Sequence, residues 1–218
     1  RAIEPGRGGR VQVDEIDPGS LDRTLLARSE VVFLARPDLL MPEGWSLLRE
    51  FVDRGGALVV TPTTDDVGQR WVEAFRGSLA PSWRLDADIE MLTDPAASPW
   101  RLAPQQPPSA TLRMLGSEVS LLASAVTAER RMRVEVPATE AEVVLRFEDG
   151  APMLVAGDGP GGRGWIALLT VAPERSWSDL VVRPLMVPLM QELVRQGRSL
   201  ARREEAAFVG TRVAAPPG

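Results

Sequence analysis

The sequence predicts an α/β fold: a mostly parallel sheet flanked by helices, with an antiparallel meander in the C-terminal third. Two continuous apolar runs of strand length, residues 31–35 and 57–61, lie on either side of an amphipathic helix pattern. Such runs are typical of buried parallel strands joined by a helix. Short strand patterns separated by turn residues then follow one another over residues 142–171, which indicates the meander.

The chain before the first apolar run is predicted to contain a strand, a turn and a short helix. Residues 11–16 alternate apolar and polar side chains, which indicates a strand with one buried face. Residues 17–20, with the sequence Asp-Pro-Gly-Ser, are typical of a turn. A short helix is expected over residues 21–28.

The helix between the two apolar runs has clear start and stop signals. Pro42 is expected in its first turn, where the missing N–H of proline has no cost. Gly55 and Gly56 are expected to end it. The face that the helix buries against the sheet is predicted to consist of apolar residues at helical spacing, namely Trp45, Leu48, Phe51 and Val52.

The middle of the chain gives weaker signals. Helices are predicted over residues 66–76 and 115–126, while residues 77–112 combine several prolines with weak periodicity. We therefore expect residues 1–210 to form a single domain with an irregular excursion over residues 77–130. The remaining residues, 211–218, are predicted to be a linker or tail.

The last third of the chain predicts successive strands and then a long helix. The strands are predicted over residues 132–136, 142–147, 152–156 and 165–171. Residues 180–196 have the pattern of a helix that is interrupted by Pro184 and Pro188. The apolar side chains of this helix are spaced as a buried face.

The composition excludes several kinds of chemistry. The 218 residues include no Cys, His, Lys, Tyr or Asn, so the chain has no thiolate, no imidazole base and no Schiff-base amine. Zinc sites built on Cys or His and phosphate loops that need Lys are excluded as well. A net charge of -5 argues against general binding of nucleic acid. We expect no cofactor and no metal site.

The segment 31–64 carries a family resemblance. Its buried strand and the sequence GWSLLREFVDRGGALVVTPTT resemble the class I glutamine amidotransferase-like fold, a flavodoxin-related α/β sandwich. In active members, the second strand ends in an elbow that holds the nucleophilic Cys, and a late strand ends in His-Pro-Glu. Here the elbow reads Thr61-Pro62-Thr63, and Ala172-Pro173-Glu174 follows the late strand. The resemblance implies a flavodoxin-like sheet in which both catalytic positions are vacant.

Without a Cys and a His at these two positions, the chain lacks the catalytic chemistry of the resembled family. Amide hydrolysis there needs a thiolate that attacks the amide carbon and a base that manages protons. The hydroxyl of Thr63 is poorly activated in a chain without His or Lys. We therefore expect a degenerate scaffold and not an enzyme.

A narrower resemblance covers residues 141–197. The sequences VVLRFEDGAPMLVAGDGPGGRGWIALLT and WSDLVVRPLMVPLMQELVRQG are similar to bacterial membrane proteins of the Bat-type aerotolerance family. Those proteins combine an amidotransferase-like domain with a von Willebrand factor A domain and membrane helices. This resemblance implies an extracytoplasmic domain, tethered to the membrane only through segments outside this chain. The partner it implies is a von Willebrand factor A domain in the same polypeptide or complex. The pattern of residues 31–64 also looks similar to the non-catalytic trimerisation domain of some β-galactosidases.

Polar residues follow the buried strand over 57–61 and form one candidate site. Thr63, Asp65 and Asp66 come after this strand, and the carboxyl ends of parallel strands are where such folds bind ligands. One interpretation is a polar cleft, with a divalent cation as its ligand. The other is that the aspartates cap the next helix, which accounts for both of them and is favoured here.

A second candidate site follows the strand over 165–171. Glu174, Arg175, Trp177 and Asp179 lie close together in the sequence there. Trp and Arg are common anchors of protein interfaces, so one interpretation is a recognition surface. The alternative is that Trp177 packs in the core while Asp179 caps the next helix, and the sequence leaves both open.

The leading functional prediction is a non-catalytic interaction or scaffold domain of a larger membrane-anchored envelope protein. One alternative is a hydrolase that uses Thr63 with Asp65 or Glu174, although a carboxylate of ordinary pKa activates a hydroxyl weakly. The other alternative is a module that binds carbohydrate or another small ligand through Trp177 and the Asp65 loop.

Overall fold

The computed structural model describes residues 12–63, 69–80, 82–94 and 96–209, and for residues 200–209 only the helical backbone. Within these residues the α/β prediction is confirmed in its coarse form. A mixed sheet of five strands is flanked by helices and is accompanied by two small antiparallel sheets.

The helices and strands are numbered in chain order. The α-helices of the described residues are α1 (Arg23–Ala27), α2 (Pro42–Asp53), α3 (Trp71–Ser78), α4 (Glu118–Ala123) and α5 (Met186–Val209). The strands are β1 (Val31–Leu34), β2 (Ala57–Val60), β3 (Arg84–Met91), β4 (Trp100–Arg101), β5 (Thr127–Ala128), β6 (Arg130–Glu135), β7 (Ala141–Arg146), β8 (Pro152–Asp158) and β9 (Trp165–Leu169). None of the described helices combines the length and the apolar composition that crossing a bilayer requires.

The main sheet has the strand order β1-β2-β9-β8-β7. β1, β2 and β9 run parallel to one another, and β8 and β7 extend the sheet with antiparallel pairing. Val60 of β2 is in register with Leu34 of β1 and with Leu168 of β9. The carboxyl ends of these parallel strands therefore meet at one edge of the sheet.

The sheet separates two apolar cores because successive side chains of a strand point to opposite faces. Leu58 and Val60 of β2 pack on the face covered by α2 and α3. Ala57 and Val59 pack on the other face, which α4 and α5 cover. Every residue of β2 and β9 is buried, which explains why these strands appear in the sequence as continuous apolar runs.

The helix α2 confirms the prediction made from its apolar spacing. Its predicted face is buried, and Pro42 occupies the first turn. Gly55 adopts a φ of 96° directly after the helix, a conformation that glycine takes without a Cβ penalty. The same face joins an aromatic cluster, in which Trp45 stacks on Trp71 of α3 with ring centroids 6.5 Å apart.

Arg131 of β6 joins the small sheets to the main sheet. Its side chain is 7% exposed and donates to Glu90 of β3 at 2.7 Å and to Asp149 of the β7–β8 turn at 2.6 Å. The guanidinium lies over the ring of Trp100 at 4.3 Å and over that of Phe147 at 5.1 Å from the centroids. One buried cation thus contacts β3, β4 and the β7–β8 hairpin.

The N-terminal expectations are only partly correct. Residues 12–17 form no strand, and Val11 lies outside the described residues. The turn prediction is confirmed, because Asp17 caps a single turn of 3₁₀ helix at Pro18–Ser20. The short helix that follows is α1, which is shorter than the predicted range. The alternation of apolar and polar side chains over residues 12–16 therefore did not produce a strand, because no neighbouring strand of the described chain pairs with them.

The middle of the chain is more regular than predicted. β3 lies inside the segment that was expected to be irregular, and it pairs with β6. The helix predicted over residues 66–76 begins at Trp71, and residues 66–68 lie outside the described residues. The helix predicted over residues 115–126 is confined to α4.

The C-terminal elements follow the prediction closely. β7, β8 and β9 form the expected meander, whereas β6 belongs to a separate sheet with β3. The final helix starts later than predicted, because Pro184 precedes it and a 3₁₀ turn occupies Asp179–Val182. Pro188 lies in the first turn of α5, where it interrupts nothing.

Candidate functional site at the carboxyl ends of the parallel strands

The candidate site is the edge of the sheet at which β1, β2 and β9 end. The segments that continue from these strands bring Asp38, Thr63 and residues 170–179 to this edge. Folds with parallel strands commonly bind ligands at such an edge. The side chains there decide what chemistry is possible.

Thr63 follows β2 and is 0% exposed. The side chain of Gln69 holds its backbone, since Thr63 N–H donates to Gln69 Oε1 at 3.2 Å and Gln69 Nε2 donates to Thr63 O at 3.1 Å. Trp71 Nε1 donates to the same Gln69 oxygen at 2.5 Å. The hydroxyl of Thr63 has no hydrogen-bond partner among the described residues. The structure therefore fixes the backbone of Thr63 through the side chain of Gln69.

Asp38 is the carboxylate that influences this hydroxyl. It follows β1 and forms a bidentate ion pair with Arg36, at 3.0 Å to Nε and 2.8 Å to Nη2. The hydrogen bond from Arg36 lowers the pKa of Asp38, burial opposes this shift, and the Thr63 hydroxyl makes a lesser lowering contribution. That hydroxyl thus faces Asp38 without meeting the distance and angle of a hydrogen bond. A carboxylate with a lowered pKa is a weak general base.

The segment after β9 is held tightly against its neighbours. Thr170 donates through its hydroxyl to Pro152 O at 2.9 Å and accepts from Met132 N–H at 2.8 Å. Ala172, which stands at the position of the resembled family's His, is 0% exposed. Trp177 is also 0% exposed and belongs to the core beneath α2 and α3. Of the two interpretations of Trp177, core packing is therefore confirmed.

Glu174 and Arg175 lie on the surface of the loop after β9. The backbone oxygen of Glu174 accepts from the N–H groups of Trp177 and Ser178, both at 2.9 Å. Because the Thr63 hydroxyl has no described partner, no hydrogen bond joins it to Glu174. The pairing that a hydrolase of Thr63 and Glu174 would need is absent from the part of the chain that the structure describes.

Asp179 has a different role from the predicted cap. Its carboxylate accepts from Thr127 N–H of β5 at 2.7 Å and from Arg183 Nε at 2.7 Å. Burial alone would raise the pKa of Asp179, but the hydrogen bonds from Arg183 and Thr127 more than offset it and lower the pKa. The cap of the following turn is Ser178, which accepts from Leu180 N–H at 3.1 Å. The cap prediction for Asp179 is therefore wrong by one residue.

The structure places Thr63 directly after β2 and residues 174–179 after β9, at the same end of the sheet, but it adds residues that the sequence prediction did not name. Asp65 and Asp66 lie outside the described residues, so neither the cleft nor the capping interpretation is decided for them. Arg36 and Asp38 were missed, although applying the strand-end rule to β1 would have found them. Gln69 was missed too, and no sequence signal marks it.

The described residues at this end of the sheet offer little catalytic chemistry. It has a buried hydroxyl, a carboxylate engaged by arginine and exposed Glu174 and Arg175 without a nucleophile between them. In the described ranges, no three carboxylates gather into a group that could hold a metal ion. Packing and backbone hydrogen bonding dominate here.

Comparisons with known proteins give a fold and no function. No family model matches the chain, and no curated protein matches its sequence. A cytoplasmic protein from Salmonella typhimurium has a TM-score of 0.53 at 14% identity, over 79% of this chain and 73% of that chain. At this identity the likeness shows a shared fold alone.

Two further solved structures have lower TM-scores. A GH42 β-galactosidase from G. stearothermophilus has a TM-score of 0.44 at 13% identity, over 87% of this chain and 23% of the enzyme. This chain thus spans about a quarter of that enzyme's length. The N-terminal domain of mmIFT52 has a TM-score of 0.46 at 14% identity, over 93% of this chain and 84% of that domain. These similarities are too weak to carry an argument.

Proposed function

We propose that the chain is a non-catalytic interaction domain on a flavodoxin-like, amidotransferase-like scaffold, within a larger membrane-anchored bacterial envelope protein. The burial of two positions carries the proposal. Thr63 stands at the position of the resembled family's nucleophile and Ala172 at that of its His, and both are 0% exposed. A substrate carbonyl cannot approach a side chain from which solvent is excluded unless the surrounding chain moves.

The architecture of the sheet supports the choice of scaffold. Parallel β1, β2 and β9 carry helices on both faces, as a flavodoxin-like sheet does. Antiparallel β8 and β7 continue the sheet where further parallel strands would extend a fully parallel fold. The proposed scaffold is therefore a variant of that fold.

The setting of the domain is proposed from the sequence resemblance over residues 141–197. These residues form β7, β8, β9 and the first half of α5. Their similarity to the Bat-type proteins supports an extracytoplasmic location, with a von Willebrand factor A domain as the partner in the same polypeptide or complex. Tethering would come from segments outside this chain.

The proposal is tested by purifying the intact protein from its native membrane after cross-linking and identifying cross-linked peptides by mass spectrometry. We expect cross-links from this domain to a stoichiometric protein partner, with a von Willebrand factor A domain among the linked sequences. The control is the same purification of a variant that lacks this domain, because it identifies partners that bind through other segments of the protein. A monodisperse product without partner or self-association would overturn the interaction role.

The non-catalytic part is tested separately by glutamine hydrolysis, followed as ammonia release. We expect background rates for the wild-type chain and for Thr63→Val and Glu174→Gln variants. Ammonia release that is above background in the wild type and lost in Thr63→Val would contradict the proposal and support the hydrolase alternative.

A further inference from the structure

A groove of about 560 Å³ lies at the opposite end of the sheet from the candidate site. Its walls are residues 107, 108, 110 and 111 and residues 136 and 138–140. Its floor includes Ala156 and Gly157 near the end of β8 and Trp165 at the start of β9. This volume is within the range of about 300–1,000 Å³ that is typical of ligand sites.

The charges that line the groove all have one sign. Glu140, Glu142 and Asp158 line it, and none of the chain's arginines does so among the described residues. Glu142 accepts from neutral donors only: Ser109 Oγ at 2.9 Å, Thr111 Oγ1 at 2.6 Å and backbone N–H groups. These bonds fix the wall of residues 109–111 against β7, but they add no positive charge.

The two other carboxylates face solvent. Glu140 and Asp158 are exposed, and Glu140 accepts a hydrogen bond from the hydroxyl of Ser82, which is also neutral. The groove therefore presents uncompensated negative charge in a chain whose basic residues, all arginine, number 25. Among the residues whose side chains the structure describes, a cationic group placed in the groove would meet carboxylates and no repelling cation.

The groove also adjoins an open strand edge. β7 is the outermost strand of the main sheet, and its C-terminal end is covered. Ala103 N–H donates to Arg146 O at 3.0 Å, and the Gln106 side chain bonds both backbone groups of Arg146. No backbone–backbone bond covers residues 142 and 143 on this side in the described chain, although the N–H groups of residues 110 and 111 donate to the Glu142 carboxylate and Val144 is 0% exposed. An extended peptide can add to such an edge by main-chain hydrogen bonding, with side-chain pockets giving specificity.

We propose that this groove docks an extended segment of a protein partner that carries Arg or Lys. The segment lies along residues 142 and 143 of β7 and places its cations against Glu140, Glu142 and Asp158. The inference rests on the proposed interaction role and specifies the chemistry of the partner. Charge complementarity and the open edge select a basic extended peptide over an acidic or neutral one.

Synthetic peptides test the groove with the full 218-residue chain. The probe is a blocked hexapeptide of alternating Val and Arg, and its control alternates Val and Glu. We expect only the arginine peptide to bind in isothermal titration, with affinity that falls as salt is added. Amide NMR signals of Glu142 and Val143 should shift on binding, because the peptide pairs with this edge.

A groove variant and a matched variant separate local binding from net charge. Glu140→Gln/Asp158→Asn removes two exposed carboxylates from the groove, and it should weaken binding at least about fivefold, since each exposed charge pair contributes modestly. Asp88→Asn/Glu129→Gln removes two exposed carboxylates that do not line the groove and should change binding less than about twofold. Equal weakening in both variants, or no binding of the arginine peptide to the wild type, would overturn the inference.

The result also separates this inference from the function on which it rests. If the arginine peptide does not bind while the intact protein retains a stoichiometric partner, the groove assignment is wrong and the proposed interaction role is retained. If the arginine peptide binds as described but the intact protein has no partner, the groove assignment is retained and the proposed interaction role is wrong.

Discussion

The hydroxyl of Thr63 is buried without a hydrogen-bond partner among the described residues, whereas the hydroxyl of Thr111 is buried with one. Thr63 is 0% exposed and Thr111 is 1% exposed, so neither hydroxyl reaches bulk water. Thr111 donates to Glu142 at 2.6 Å. The two side chains have the same chemistry and opposite hydrogen-bonding states, which makes them a matched pair.

Thr63→Val should raise the free energy of unfolding by roughly 1 kcal/mol, because valine keeps the shape and removes an unsatisfied polar group. Thr111→Val should lower it by about 1–2 kcal/mol, since it removes a hydrogen bond to a carboxylate. Urea denaturation followed by circular dichroism measures both. A loss of stability in Thr63→Val similar to that in Thr111→Val would show that the Thr63 hydroxyl has a partner after all.

The same residues show what could be predicted of the site. The rule that parallel strands bind ligands at their carboxyl ends led from the sequence to Thr63 and to the segment after β9, which the structure places at one end of the sheet. It could not predict that Thr63 and Trp177 are buried, because it gives their place after a strand and not the segments that pack over them. Gln69 covers the backbone of Thr63, and the N–H groups of residues 129 and 130 donate to Trp177 O at 2.8 and 3.2 Å.

At the scale of elements, strands were predicted well where burial on both faces made them apolar. β2 and β9 are of this kind. β3 was missed because its sequence RLDADIEM is mostly polar, and it becomes a strand through pairing with β6 about 40 residues later. Residues 12–17 show the reverse case, since their alternation found no partner strand. Pairing across long sequence separations is the information that local patterns lack.

The turn between β8 and β9 packs closely on α2 through Gly164. This glycine has a φ of 62°, and a Cβ placed on it would lie 2.1 Å from Val52 O and 2.7 Å from Gly56 O. Both obstacles are backbone atoms, which cannot rotate away as a side chain can. Gly161 in the same turn has a φ of 73°, but the space around it is open.

Gly164→Ala should therefore destabilise the protein by about 3 kcal/mol or more, from left-handed backbone strain together with a steric clash. Gly161→Ala should cost only about 1 kcal/mol, because it has the strain without the clash. Thermal and urea unfolding of both variants measure the difference. Equal costs would mean that the turn can move away from α2 without loss.

At the scale of the whole molecule, Arg131 links the small β3–β6 sheet to the main sheet, which are separate sheets. Its ion pairs reach Glu90 in the small β3–β6 sheet and Asp149 in the β7–β8 turn. The hydrogen bond from Arg131 lowers the pKa of Asp149 against the opposing effect of burial. Burial would raise the pKa of Glu90, but the hydrogen bonds from Arg133 and Arg131 more than offset it and lower the pKa.

These lowered pKa values predict how stability depends on pH. Near the ordinary carboxyl pKa of about 4, the unfolded chain binds more protons than the folded chain, so stability rises with pH. The contribution of Glu90 and Asp149 is therefore fully present above that pH and is lost as the pH falls through the lowered folded-state values. We expect the free energy of unfolding to fall steeply below about pH 5 in urea titrations.

Arg131→Met tests whether this acid sensitivity arises at the link between the sheets. The variant should lose about 3 kcal/mol at pH 7, because two carboxylates lose a buried cation, and its stability should then fall less steeply toward pH 3. Arg183→Met is the matched control: it removes the more exposed partner of Asp179 and should cost less than about 1 kcal/mol. If the free energy of unfolding of Arg131→Met falls with pH as steeply as that of the wild type, the acid sensitivity arises from other carboxylates. A shallower slope would place part of the acid sensitivity at Glu90 and Asp149, the two carboxylates that Arg131 joins across the sheets.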